Sequence, residues 1–355
     1  MIYQINRISL CCLLLCAAVL PAHGKPSGRK VWSVIEKTLS GFETEARERQ
    51  PDNRALAAQL VLAGDLLDEF VINYPKDKRW WRARIMLPGI KTGAARLLKS
   101  RIRWNASLRE INEILADARL PSKNRPDAEH IRISLLRSKL AYEGLSEQET
   151  AELVQYMRAY ADAYPKHKFA HEIHYELGLR LITADPDRAA RAFRAATKSS
   201  DARLANKAER ELAVLPYRSA PLDLEFVALD GRKVAMSDLK GKVVLIDFWA
   251  TWCKPCIAEI PRIKGVYDRY RDKGFEIVGI SFDSKRSDLK DYIAGQRMDW
   301  PQYFDGRGWD SKIGERFSIR SIPTMWLLDK QGRIISTKVR GSNLERYLRE
   351  ALRAE

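Results

Sequence analysis

The run Phe248-Trp249-Ala250-Thr251-Trp252-Cys253-Lys254-Pro255-Cys256 constrains this chain more than any other stretch of it. It follows four apolar residues, Val243 to Ile246, that read as a buried strand. A strand feeding a tight turn, with a helix opening at the first of two cysteines spaced Cys-x-x-Cys, suits thiol–disulfide exchange. Unpaired N–H groups and the positive end of the helix dipole favour thiolate at Cys253. Cys256, one turn further on, is placed to resolve a mixed disulfide. Zinc and haem are the competing uses of such a pair. Zinc takes four ligands, yet the other cysteines, Cys11, Cys12 and Cys16, all lie in the N-terminal apolar run. A c-type haem site needs a histidine directly after the second cysteine, where Ile257 stands.

That N-terminal run reads as an export signal. Arg7 supplies the basic end, Ile8 to Leu20 form an apolar core, and Ala22-His23-Gly24 offers small residues for cleavage before Lys25. The core is shorter than the roughly 20 residues of a membrane span, so cleavage is expected over retention as an anchor. The expected location is the periplasm or cell envelope of a bacterium. An exported chain whose mature part keeps only one vicinal cysteine pair keeps it for redox work.

A length of 355 residues calls for two domains. From Val31 to Leu215 the pattern is helical, as in Leu56, Leu60, Ala63, Leu67 and Phe70, with eight to ten helices expected. Prolines at Pro51, Pro75, Pro121, Pro165 and Pro186 mark their ends. Tyr74-Pro75-Lys76-Asp77-Lys78 and Tyr164-Pro165-Lys166-His167-Lys168 echo one another. Helical periodicity stops at Leu215-Pro216-Tyr217-Arg218-Ser219-Ala220-Pro221. Beyond it, Leu224–Leu229 and Arg232–Met236 read as a hairpin turned by Asp230-Gly231. Strands follow at Lys242–Trp249, Phe275–Phe282, Thr324–Leu328 and Arg333–Val339, with helices after Cys253, at Arg286–Arg297 and at Asn343–Leu352. The expected organisation is a signal over 1–24, an all-α region over 25–215 and an α/β domain over 216–355.

The net charge of +16 is split between +10 over residues 1–215 and +6 over 216–355, interleaved with acids in both. Solvated helix faces account for this pattern, which lacks the concentrated stripe of a nucleic-acid binder. Affinity for anionic membrane surfaces stays open.

Residues from about Ala220 to Ala354 resemble the thioredoxin superfamily, and more closely its exported TlpA/ResA-like branch. The residues that carry the resemblance are Trp252-Cys253-Lys254-Pro255-Cys256, Ser321-Ile322-Pro323-Thr324 just before a strand, and the leading hairpin followed by Leu239-Lys240-Gly241-Lys242. The resemblance implies a thioredoxin fold with an N-terminal hairpin and a central insertion. The helical half resembles tetratricopeptide hairpins only loosely, and a plain bundle serves equally well.

The resemblance also assigns roles. Cys253 is the nucleophile and Cys256 the resolving thiol. Asp247, an acid closing an apolar strand, matches the aspartate that assists proton transfer at the second cysteine. Glu259 matches a glutamate of the ResA-like branch, although an ordinary solvated glutamate fits equally. That branch also tends to carry an acid after the second buried strand, where Asp283 sits one place off. Lys254 either steadies the thiolate or is simply exposed, and Pro255 suits the first helical turn. Trp252 and Trp249 wall the site, Trp249 serving equally as core, and Pro261 should kink the helix. Pro323 implies a cis bond that sets the Ile322 backbone beside the cysteines, where an extended substrate adds like a strand.

His167, His171 and His174 fall on one face of a continuous helix, a spacing open to a metal but without a cysteine partner, so none is expected. The reading is an exported reductase of protein disulfides, re-reduced by an upstream electron-donor protein, with no organic cofactor. Pro255 and Ile322 resemble the reducing members. Neither substrate identity nor oligomeric state is legible. Two rivals remain. A peroxide reductase lacks its Pro-Thr-x-x-Cys pattern, since Ala250 stands three before Cys253. The other is a non-enzymatic helical adaptor that uses the pair only as a redox switch.

Overall fold

The computed structural model describes residues 26–46, 52–100, 102, 104–341 and 343–354. The export signal expected over 1–24, with Cys11, Cys12 and Cys16, lies outside the described residues. No helix among the described residues is long and apolar enough to cross a membrane. The chain divides into two compact units between Ala170 and His171. This division falls ahead of the change of texture at Leu215–Pro221, and Val214 belongs to the core of the second unit.

The first unit is helical: α1 (Gly28–Glu45), α2 (Asn53–Asn73), α3 (Trp80–Leu97), α4 (Trp104–Ala116), α5 (Arg125–Tyr142) and α6 (Glu147–Ala163). Leu56, Leu60, Ala63, Leu67 and Phe70 are all buried along α2, the stripe that the spacing requires. Trp32, Ile35, Leu67, Phe70, Ala83 and Leu87 make one core cluster. Ile85, Ile111, Ile114, Ala128 and Leu135 belong to another. Ser27 and Asp52 cap helix starts with side-chain oxygens, and Ser146 with Glu149 forms a full capping box. The two Tyr-Pro-Lys segments turn alike. Tyr74 and Tyr164 end their helices with φ of −128° and −129°. Each carbonyl accepts from the amide three residues on, that of Asp77 and that of His167.

The second unit opens with α7 (Ala170–Leu181), α8 (Pro186–Ala196) and α9 (Ala202–Val214). The histidine reading needs correction. The turn after Tyr164-Pro165 delays the helix to Ala170, so His167 precedes it and cannot share its face with His171 and His174. His167 Nδ1 instead pairs with the Tyr160 hydroxyl at 2.5 Å, and His171 Nδ1 with the Ala195 carbonyl at 3.0 Å.

The α/β part follows. β1 (Glu225–Val227) and β2 (Lys233–Ala235) form the hairpin, turned at Gly231 with φ of 88°, a conformation a side chain would strain. β3 (Val243–Trp249), β4 (Phe275–Ser281), β5 (Gln302–Tyr303), β6 (Thr324–Leu328) and β7 (Ile334–Ser336) form one sheet in the order β5-β4-β3-β6-β7. β3, β4 and β5 run parallel, and β6 and β7 antiparallel to their neighbours. Helices α10 (Lys254–Tyr270), α11 (Arg286–Gln296), α12 (Lys312–Arg316) and α13 (Asn343–Arg353) complete the unit. All of β3 and β6 is buried, as interior strands are, including the polar residues Asp247 and Thr324.

The last strand is shorter than the expected Arg333–Val339. Asp329 holds Arg333 in a turn, accepting its backbone N–H at 2.9 Å and its Nε at 2.8 Å. β5, which sequence pattern does not announce, is two residues long. Gly279 makes room for it, since a Cβ there would lie 1.9 Å from Gln302 Oε1.

Candidate redox site

The cysteines sit where β3 hands over to α10. Cys253 is the N-cap of that helix, and its Sγ accepts the backbone N–H of Cys256 at 3.2 Å. Pro255 occupies the second helical position and contributes no donor, so the N–H of Cys256 is left for the sulfur. The two sulfurs are joined as a disulfide, with Cα atoms 5.2 Å apart. Cys253 is 5% exposed and Cys256 2%. Pro261 lies inside α10, which runs on unbroken through it.

The turn before the helix is pinned from across the sheet. Asp283, buried two residues past β4, accepts from Thr251 N at 3.2 and 3.1 Å, from Thr251 Oγ1 at 2.6 Å and from the Ser281 hydroxyl at 2.8 Å. The acid that stands one place off in the sequence thus anchors the residue two before Cys253. Asp283→Ala strands those donors, and chemical denaturation should show a loss of about 2–3 kcal/mol, with Asp283→Asn retaining part of it.

Asp247 lies on β3 between Gly279 of β4 and Met325 of β6. Its carboxyl is buried, and Oδ1 has no hydrogen-bond partner. Burial, with a smaller push from the charge of Glu259, raises its pKa to about 7. Glu259, one turn beyond Cys256 on α10, is half-buried near Gly341, where a Cβ would come within 3.8 Å of Oε1.

Trp249 is wholly core, its indole N–H donating to Gln302 Oε1 at 3.0 Å. It does not wall the site. Trp252 does remain exposed, and its neighbour is Trp309, at 5.8 Å between ring centroids. Nothing in the sequence points to Trp309: it is 57 positions away, and only a built loop brings it there. Lys254 and Pro255 are both exposed.

The Ile322–Pro323 peptide bond is cis. The pairing of Phe248 with Thr324 sets this loop at the end of β3 from which the cysteine turn departs. Thr324 Oγ1 donates to the Ser321 carbonyl at 2.7 Å, and the Arg340 guanidinium donates to the Pro323 carbonyl. Ile322 is half-buried beside it.

A five-stranded sheet of this order, a Cys-x-x-Cys disulfide capping the helix after its central strand, and a cis-proline loop at the same sheet end together define a thiol–disulfide oxidoreductase of thioredoxin fold. The model of the AhpC/TSA family matches residues 217–337. A thiol-disulfide oxidoreductase ResA of Bacillus cereus is 36% identical over 126 residues, which is 34% of this chain and 70% of that relative. The thioredoxin-like protein YneN of Bacillus subtilis (strain 168) is 33% identical over 127 residues, 35% of this chain and 71% of its own. A crystal structure of the thioredoxin domain of a thiol-disulfide oxidoreductase from Bacteroides vulgatus is 31% identical, with a TM-score of 0.35, covering 38% of this chain and 95% of that one. The chain belongs to the ResA family of thiol-disulfide oxidoreductases.

Proposed function

We propose that this is an exported reductase of protein disulfides, working through a Cys253/Cys256 dithiol–disulfide cycle. The observation that carries it is the Cys253 sulfur at the head of α10, accepting a backbone N–H at the point where a thiolate would be stabilised. The Cys253 thiolate attacks one sulfur of a substrate disulfide, forming a mixed disulfide and releasing the first substrate thiolate. Cys256 loses its proton to Asp247 and attacks Cys253 Sγ, releasing the second substrate thiolate and closing the Cys253–Cys256 bond. Two electrons have then passed to the substrate. An upstream dithiol protein restores the pair. Glu259, whose charge is felt at Asp247, is the further acid of this path. Ile322, ahead of cis-Pro323, offers the backbone on which an extended substrate pairs, with Trp252, Lys254 and Pro255 on the rim.

The apolar run Ile8–Leu20 behind Arg7 supports export with cleavage near Gly24, and so a periplasmic or envelope location. In this reading residues 1–24 are the signal, 25–215 the helical region and 216–355 the redox domain. The helical region docks a partner or positions substrate, and the excess of positive charge draws the protein toward anionic membrane surfaces.

Equilibration of the full chain against glutathione and dithiothreitol tests the direction. A potential near or below about −230 mV is expected of a reductase with a dedicated donor. A potential near about −120 mV would make it an oxidant of exported proteins instead. Peroxide turnover through Cys253 without disulfide reduction would replace the reading altogether.

A further inference from the structure

Two tryptophans stand exposed beside the redox pair, Trp252 at 52% and Trp309 at 46%. Exposing two indoles side by side is unfavourable in water unless a partner covers them. They are not a loose surface accident. Trp309 sits against buried Phe282, with ring centroids 5.3 Å apart, and against Trp252 at 5.8 Å.

The loop that carries Trp309 is built to hold it. Asp305 accepts from the Tyr303 hydroxyl at 2.9 Å, from Arg307 N at 3.1 Å and from Lys312 N at 2.9 Å, tying both ends of the loop to one carboxylate. Gly308 turns the backbone with φ of 59° close over Ser284, whose Oγ would lie 3.1 Å from a Cβ at that position. An indole that is exposed yet fixed contacts a partner at little entropic cost.

Charge around this pair leans positive. Lys254 lies between the cysteines, Arg320 just before the cis-proline loop, Arg307 in the Trp309 loop, and Lys285 and Arg286 directly after Ser284. All five are exposed, and none forms an ion pair among the described residues. The exposed carboxylates in the same segments are Asp288 and Asp291 on α11, Asp310 beside Trp309 and Glu315 on α12, with Glu259 half-buried on α10.

We propose that Trp252 and Trp309 form a two-indole platform for an apolar side chain next to the substrate's cysteine, and that the surrounding cations select substrates with an acidic residue flanking that cysteine. The occupant is an extended segment of an oxidised protein, acidic and apolar around its disulfide. The inference rests on the disulfide-reductase reading and names the substrate class of that same site. The bonds made and broken are those of the exchange already written.

The test uses the reduced full chain and three substrates: a disulfide-linked peptide with Leu and Glu beside its cysteine, the same peptide with Lys for Glu, and bis(2-hydroxyethyl) disulfide. The wild type should prefer the Glu peptide to the Lys peptide about tenfold in kcat/KM at low salt, the preference shrinking as ionic strength rises. Trp309→Ala should lower the ratio of Glu-peptide to bis(2-hydroxyethyl) disulfide turnover about tenfold, and Trp309→Phe should recover most of it. An unchanged ratio in Trp309→Ala overturns the platform, and equal rates on the Glu and Lys peptides overturn the charge selection. Failure of the wild type on all three substrates overturns the reductase reading itself, and the platform falls with it.

Discussion

Cys253→Ser should reduce disulfide turnover to the uncatalysed background, whereas Cys256→Ser should accumulate a stable mixed disulfide with substrate, seen as a mass adduct or a band on a non-reducing gel. The two variants differ because the two sulfurs occupy different electrostatic positions. Cys253 caps α10 and receives the Cys256 N–H at 3.2 Å, at the positive end of a 17-residue helix. A free thiol with a pKa of about 8.5 is only about 3% ionised at pH 7, so a helix N-terminus that favours thiolate raises the reactive fraction. Cys256 is the more buried sulfur and does not cap the helix. Iodoacetamide at pH 7 should therefore alkylate Cys253 of the reduced protein several-fold faster than Cys256. Preferential labelling of Cys256 would reverse the assignment.

That assignment is legible in the sequence because everything it needs is contiguous. Apolar strand, turn, cysteine and helical proline fall within Val243–Cys256, and local chemistry decides the local structure. The same holds for the hairpin, whose Asp230-Gly231 turn carries its own left-handed glycine. Asp247 is legible as an acid in a strand with no polar neighbour.

What the sequence hides are pairings across distance. Asp283 reaches Thr251 over 32 positions and Trp309 reaches Trp252 over 57, and neither pairing has a periodicity to announce it. Trp249 is ambiguous for the same reason. Its indole N–H is satisfied in the core by Gln302, which sits in a strand of two residues, too short to show a pattern. The histidine row misleads because its spacing is counted through a turn. Tyr164-Pro165 interrupts the helix, so an interval of four positions no longer means one face.

Asp247→Asn should stabilise the protein at pH 8 and slow it as a catalyst. The carboxyl is buried with Oδ1 unbonded, and its pKa stands near 7 instead of 3.8. Between about pH 4 and pH 7 the folded chain holds a proton there that the unfolded chain has already released. Folding stability therefore falls as pH rises through that window and levels off above about 7. The full displacement corresponds to roughly 4 kcal/mol, the cost of keeping a bare carboxylate in the core. Asparagine has no such cost, so the stability difference between variant and wild type should grow from near zero at pH 4 toward that value at pH 8, measured by denaturant unfolding. In the proposed mechanism the same substitution removes the group that takes the Cys256 proton. Resolution of the mixed disulfide should slow on the order of 10²-fold at pH 7, while the first attack by Cys253 is affected far less. A purely structural Asp247 would change stability and leave the lifetime of the mixed disulfide as it was. A catalytic Asp247 that imposed no strain would do the reverse. The burial of an unpaired acid on the strand that leads into the cysteine turn predicts both changes together, because the low-dielectric site that destabilises the carboxylate is also what makes it a base near neutral pH.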